Sequence, residues 1–412
     1  MRWKTVTTRG RPPRARRLLT VGLVAGGLSL LPPAEASPAE ASPASAVPTA
    51  RADARPAACT NTAVLDTWQL RKLADQTIVF PAEETDLAAV RAAAQDGYGG
   101  ILLFGSSAPG NLGKQLSMLR ADVPDRLGLL VMTDEEGGGV QRMANLVGSM
   151  PWAAQMGATM TPAQIEKLAH AVGHKMALQG VNVDLAPVLD VDGRAVEPGA
   201  EDPDGYRSFS GKTSVVSADG VAFMDGMRAG GVIPVVRHFP GLGGVSGNTD
   251  DGPAHTLPWR RLEQVALPPF EAAIKAGAPA VMVSNATVPG FTSLPAALSP
   301  KMVTGELRHA LAFKGLIVTD SLSALAISDP PLSLSVPRAS VEALEAGDDM
   351  VLFSLPGTVA GDLAVAAETS EAIAAAVEAH SLPKSQLVNA VVQVLTAKRI
   401  GLCPAGKAVP PS

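Results

Sequence analysis

Short apolar runs alternate with helix-like stretches from about residue 70 to residue 400. The runs cover residues 78–80, 100–104, 128–133, 181–188, 232–237, 278–283, 315–319 and 348–353. They are almost continuous in Val, Ile, Leu and Met, which is the pattern of strands buried on both faces of a parallel sheet. The segments between them carry helix punctuation. Thr161-Pro162-Ala163-Gln164 combines an N-cap, a proline at the first helical position and a capping-box glutamine. Ile165, Leu168, Ala169, Val172 and Met176 then repeat at helical spacing, and Gly180 ends the helix before the next run. Eight such repeats predict an α/β fold, a single-domain (β/α)8 TIM-type barrel; an open doubly wound sheet is the alternative.

Polar residues stand at or just beyond the C-terminal ends of these runs: Asp134, Asp190, His238, Asn285 and Asp320. Barrel active sites are built at that end, where several strands converge. Any one of these residues can equally be a strand-end cap, and Asp190 is read that way. His170 and His174 lie four apart on a predicted helix. They lack the intervening Glu of a zinc-protease helix, so a surface or core pair is expected there rather than a metal site. His309 and His380 have no partner that the sequence identifies. The loop Gly241-Leu242-Gly243-Gly244 is not followed by the Gly-Lys-Ser/Thr that a phosphate loop needs.

The first 36 residues break the pattern. Arg2, Lys4, Arg9, Arg11, Arg14, Arg16 and Arg17 form a basic start, residues 18–31 are apolar, and Ala34-Glu35-Ala36 has the small-x-small form of a cleavage site. That order is a secretory signal peptide, so a secreted or extracytoplasmic protein is expected. The apolar run is short for a membrane span of roughly 20 residues, and no Cys follows it to carry a lipid, so no stable membrane anchor is expected. The Arg16-Arg17 pair matches a twin-arginine signal too loosely to choose the export route. Residues 37–58 read as an Ala/Pro/Ser linker, 59–404 as the barrel and 405–412 as a flexible tail. Cys59 and Cys403 flank the barrel, and an exported chain with two cysteines favours a disulfide joining its ends over two unpaired thiols. Removing residues 1–36 takes away seven positive charges and Glu35, moving the formal charge from -5 to about -11. Nucleic acid is therefore a poor partner.

The chemistry-bearing segments follow in order. They are residues 133–142 (Thr-Asp-Glu-Glu-Gly-Gly-Gly-Val-Gln-Arg), 182–188 (Asn-Val-Asp-Leu-Ala-Pro-Val), Tyr206-Arg207-Ser208-Phe209, Arg237-His238-Phe239-Pro240-Gly241 and Thr319-Asp320-Ser321-Leu322. A buried run that ends in Asp320 suits glycoside hydrolysis, which uses two carboxyl groups about the scissile bond. Taken together, the five segments resemble the signatures of glycoside hydrolase family 3. The length of one barrel, without a second sandwich domain, is similar to the β-N-acetylglucosaminidase (β-N-acetylhexosaminidase) branch. The resemblance implies a retaining hydrolase that removes terminal β-linked N-acetylhexosamine, with peptidoglycan fragments of the cell wall as a candidate substrate. Asp320 would be the nucleophile. Asp134 would accept hydrogen bonds from sugar hydroxyls, and Arg142, Arg207, Arg237 and His238 would line the pocket. No metal or organic cofactor is implied.

Four departures from the family pattern stand out. Arg237 replaces a usual Lys, Gly139 replaces the first Arg of its motif, and Leu242 replaces a usual His. In residues 243–250, Asn248 and Asp250 occupy the positions of an Asp-His dyad that supplies the acid/base. Three readings stay open: Asp250 is itself the acid/base, His255 swings in from the same loop, or the chain is a catalytically impaired sugar- or muropeptide-binding protein.

Overall fold

The computed structural model describes residues 62–355 and 357–401. The expected signal peptide, linker, tail and Cys59–Cys403 pair fall outside those residues. Eight parallel strands close into a barrel: β1 (Ile78–Glu83), β2 (Gly100–Phe104), β3 (Leu130–Thr133), β4 (Val183–Asp184), β5 (Ile233–Phe239), β6 (Ala280–Val283), β7 (Leu316–Ser321) and β8 (Met350–Leu352). Each strand pairs with its neighbours in sequence, and β1 closes the ring against β8. The open-sheet alternative is excluded.

The continuous apolar runs now have a cause. Alternate residues of each strand face opposite ways. Val79, Leu102, Met132, Val183, Val235, Met282, Val318 and Met350 fill the barrel's interior. Their neighbours, including Phe80, Ile101, Val131, Val236, Val281, Ile317 and Val351, pack outward against the helices. Val394 of the last helix, Lys384–Ala397, joins the interior cluster.

The helix expected after Thr161 runs from Pro162 to Leu178 with its capping box formed. The Thr161 hydroxyl accepts from the Gln164 N–H at 3.4 Å, and the Gln164 side chain accepts from the Thr161 N–H at 2.8 Å. It lies tightly on the helix Thr213–Ala229, where a Cβ on Gly226 would sit 2.3 Å from the Glu166 carbonyl oxygen.

Four strands, β3, β4, β6 and β8, are shorter than their apolar runs. β3 starts at Leu130 because Gly128 turns with φ +64°. β4 is laddered only at Val183–Asp184, and Val188 makes a separate bridge to Arg237. Pro187 between them has no N–H to donate to a ladder. Past the C-terminal ends of β3 and β6 the chain folds into small hairpins, Glu135–Gly137 with Val140–Gln141 and Thr287–Val288 with Thr292–Pro295. No helix among the described residues is long and apolar enough to cross a membrane.

Candidate active site

The hairpin after β3 is built around Glu135. Its carboxylate accepts the backbone N–H groups of Arg142 (2.7 Å) and Met143 (2.6 Å) and the Gln141 amide (2.8 Å). The Glu135 N–H in turn donates to Asp184 on β4 at 2.9 Å. Glu135 is thus a clamp that folds the hairpin and turns Arg142 towards Asp134, whose Oδ2 lies 3.2 Å from Arg142 Nη2. Burial raises Glu135 to about 7, although its three donors pull the other way.

The arginines and acids form one network. Arg237, from β5, donates to Asp134 Oδ1 at 2.8 Å and also bonds Glu136. Arg207 grips Glu136 with two bonds of 2.8 Å and donates to the Pro203 carbonyl oxygen at 2.8 Å. Asp134, Glu136 and Arg237 are all buried. Burial alone would raise both carboxyls. The Arg237 and Arg142 charges hold Asp134 below its ordinary value instead, and Arg207 with Arg237 drives Glu136 down to about 2. Arg207 is seated by its turn: a Cβ on Gly205 (φ +47°) would meet the Val196 carbonyl oxygen at 2.2 Å, and the next residue, Ser208, donates to the Asp190 carbonyl oxygen at 2.7 Å.

His238 stands between this network and β7. Its Nδ1 is 2.6 Å from Asp190 Oδ2, and its Nε2 is 3.3 Å from Arg207 Nη2. A guanidinium only donates, so Nε2 accepts and the proton is assigned to Nδ1, facing Asp190. Burial, together with the Arg207 and Arg237 charges, pushes His238 down to about 4, so the ring is neutral near pH 7. The expectation for Asp190 is corrected here. It does cap the following turn, accepting the Leu242 N–H at 2.6 Å, but it is also fully buried and its second oxygen orients His238.

Asp320 is the penultimate residue of β7 and is half-buried. It accepts the Ser321 N–H at 2.7 Å, and Asn285 at the end of β6 donates to the Ser321 carbonyl oxygen at 2.7 Å. Burial and the neighbouring Asp250 raise Asp320, while His238, Ser321 and Arg237 lower it; the net shift is upward. Asp250 reaches this neighbourhood because its loop is stapled to the segment after β7. The Ala326 N–H donates to the Thr249 carbonyl oxygen at 3.0 Å, and Asn248 Oδ1 takes the Asp250 N–H at 3.0 Å. His255 is exposed on a backbone bridge to Thr287, with Nδ1 3.2 Å from the Thr256 carbonyl oxygen.

The family model described as "Glycosyl hydrolase family 3 N terminal domain" matches residues 72–397. The chain belongs to glycosyl hydrolase family 3. A curated relative, beta-hexosaminidase LpqI of Mycobacterium tuberculosis, is 35% identical over 283 residues, 66% of this chain and 68% of its own length. Among solved structures, a family-3 glycosyl hydrolase of Mycobacterium smegmatis has 32% identity and a TM-score of 0.70, covering 81% of this chain and 98% of that one. A beta-N-acetylhexosaminidase of Beutenbergia cavernae also has 32% identity and a TM-score of 0.70, covering 81% and 99%.

The departures of this family-3 chain acquire physical reasons. Gly139 leaves room for the Trp152 ring, which a Cβ there would approach to 2.8 Å. Arg237 uses its planar fork to reach Asp134 and Glu136 at once, which a single ammonium on a Lys does with less directional fit. The structure brings Asp320, Asp250, Asp134, Arg142, Arg207, Arg237 and His238 together, while His255 is exposed beside Thr287 and bonds none of them. Glu136 and Asp190 were not picked out as site residues from the sequence. Glu136 lies within residues 133–142, and only its place between Arg207 and Arg237 in the fold marks it as a site residue.

Proposed function

We propose that this family-3 barrel removes terminal β-linked N-acetylhexosamine by double displacement with retention. The observation that carries it is the half-buried Asp320 at the rim of β7, beside a neutral His238 and a fixed lattice of arginines and carboxylates. In the first step the Asp320 carboxylate attacks the anomeric carbon and the glycosidic C–O bond breaks. Asp250 gives its proton to the departing oxygen. In the second step Asp250 takes a proton from water, the water oxygen bonds the anomeric carbon, and Asp320 is released. The pocket supplies the rest. Asp134 accepts from sugar hydroxyls, while Arg142, Arg207 and the Arg237–His238 pair orient the ring by hydrogen bonds in a site whose dipoles are already fixed.

Asp250 suits the acid/base role because burial raises its carboxyl above the ordinary value, which favours the protonated form an acid needs. The exposed ring of His255 argues against the alternative donor. Peptidoglycan fragments as substrate and export as the destination fit the basic and apolar start of the chain. The test compares wild type with Asp320→Ala on an aryl N-acetylglucosaminide. Turnover is expected to vanish in the variant, and equal rates would dismiss the mechanism.

A second reading, a slow or inactive sugar- or muropeptide-binding protein, is favoured by one observation: Asn248 and Asp250 stand where the branch carries its acid/base dyad. Binding of N-acetylglucosamine without a burst or turnover by the wild type would select it.

A further inference from the structure

Asp204 is unexplained by the sugar pocket. It is fully buried, no N–H or O–H donor reaches either of its carboxylate oxygens among the described residues, and its side chain lies against the carboxyl of Asp190. Burial and the Asp190 charge push the Asp204 carboxyl well up, so the two acids side by side either share a proton or need a cation to hold both ionised. Its backbone is fixed, because the Asp204 and Gly205 N–H groups donate to Asp202 Oδ1 at 3.2 and 3.0 Å. One ligand atom from each of Asp204, Asp190 and His238 lies within 4.8 Å of the others. The nearest cation, Arg207, is already committed to Glu136.

We propose that Asp190, Asp204 and His238 bind one divalent transition-metal ion of the zinc type behind the sugar pocket, and that the ion inhibits the enzyme through His238. Two carboxylates and an imidazole nitrogen are a donor set for zinc and its neighbours, whereas magnesium and calcium prefer oxygen alone. Zinc bonds of about 2.0–2.2 Å place tetrahedral ligand atoms roughly 3.2–3.6 Å apart. The His238–Asp190 pair, now at 2.6 Å, opens by about 1 Å and the Asp204 oxygens draw in. The ion neutralises both carboxylates.

Coordination at Nδ1 moves the His238 proton to Nε2. That nitrogen now accepts from Arg207 at 3.3 Å. Once protonated it is a donor facing a donor, so Arg207 is pushed from its seat against Glu136 and the pocket loses its arrangement. The inhibition presupposes the glycosidase activity proposed above; the binding of the ion does not.

The test uses the full chain, stripped with EDTA and dialysed, with zinc alone as the probe. Equilibrium dialysis with elemental analysis is expected to find one zinc per chain in the wild type, and zinc is expected to raise its Tm. Asp204→Asn, with Asp204→Ser as a second variant if the first folds poorly, is expected to weaken zinc at least about ten-fold. Its activity without zinc stays within about three-fold of wild type, while zinc no longer inhibits it. Saturating zinc is expected to lower wild-type kcat/KM about ten-fold or more, reversed by EDTA. No zinc bound to the wild type, equal binding by the Asp204 variants, or loss of the ion in His170→Ala instead would each overturn the site. If zinc binds through Asp204 and no substrate is turned over, the ion site stands and the glycosidase reading fails separately.

Discussion

The two flanks of the pocket are built in opposite ways. On the β3–β5 side, Asp134, Glu136, Arg207 and Arg237 are bonded to one another, all buried except the half-buried Arg207, and Glu135 and Asp190 hold that lattice from behind. On the β7 side, Asp320 and Asp250 are half-buried, and Asp250 is placed through backbone contacts and one Asn248 bond. The first flank is rigid because each charge has a fixed partner, and breaking such a pair leaves a buried charge uncompensated. In the mechanism proposed above Asp250 changes protonation and Asp320 forms and breaks a covalent bond, so neither carboxyl can be locked into an ion pair. On the proposed mechanism, sugar recognition and proton transfer are thereby separated in space, and substitutions on the two sides should fail differently.

The largest effect is expected at the β7 flank. Asp320→Ala removes the covalent intermediate and should lower kcat by about 10⁴-fold or more, with the KM for substrate little changed. A kcat loss of under ten-fold would break the division between the flanks.

Asp250→Asn comes next. Loss of a general acid/base typically forfeits about 10²–10⁴-fold. The deficit should be largest with a poor leaving group and shrink with a nitrophenolate. The pH profile sharpens the assignment. Burial raises Asp250, and the acid must be protonated, so wild-type kcat/KM falls as pH rises through that raised value. In Asp250→Asn this alkaline limb should disappear. An unchanged limb would move the proton donor elsewhere.

The third effect lies on the rigid flank. Glu136→Gln leaves Arg207 and Arg237 short of a buried anion and should destabilise the fold by about 3–5 kcal/mol while raising KM. The sign of the pH effect follows from its depressed carboxyl. Ionised Glu136 contributes stability that is fully present above its ordinary value of 4.5 and is lost as pH falls towards about 2. Thermal unfolding of the variant should therefore be less sensitive to acid over that window. An unaltered acid dependence would mean that Glu136 is not the group that the arginines hold.

Much of this arrangement was legible in the chain before any coordinates. The eight apolar runs announce strands buried on both faces, and Thr161-Pro162-Ala163-Gln164 announces a helix start, because these signals are local. The rim residues Asp134, His238 and Asp320 were legible because each stands just past the C-terminal end of its apolar run. What stayed hidden depends on contacts across the barrel. Glu136 faces Arg207, 71 residues away, and Asp190 faces His238, 48 residues away. Nothing in the spacing along the chain encodes those pairings. The shortness of β4 was hidden for a related reason, since an apolar run reports burial and not which backbone groups find a ladder partner.

The smallest effect tests how much of the rigid flank's behaviour is charge and how much is geometry. Arg237→Lys restores the residue that the family pattern usually carries. The positive charge beside Asp134 and Glu136 remains, but one ammonium replaces a planar fork that bonds both acids. The lost bond costs about 1–2 kcal/mol, which corresponds to roughly a ten-fold rise in KM with kcat held within about two-fold. His238 should hardly feel the change, because its Nδ1 partner Asp190 and its Nε2 partner Arg207 are both retained. Titration of the His238 ring by NMR in wild type and variant would check this directly. If kcat falls as steeply as in Asp250→Asn, the two flanks are coupled through Arg237, and the separation of recognition from proton transfer does not hold.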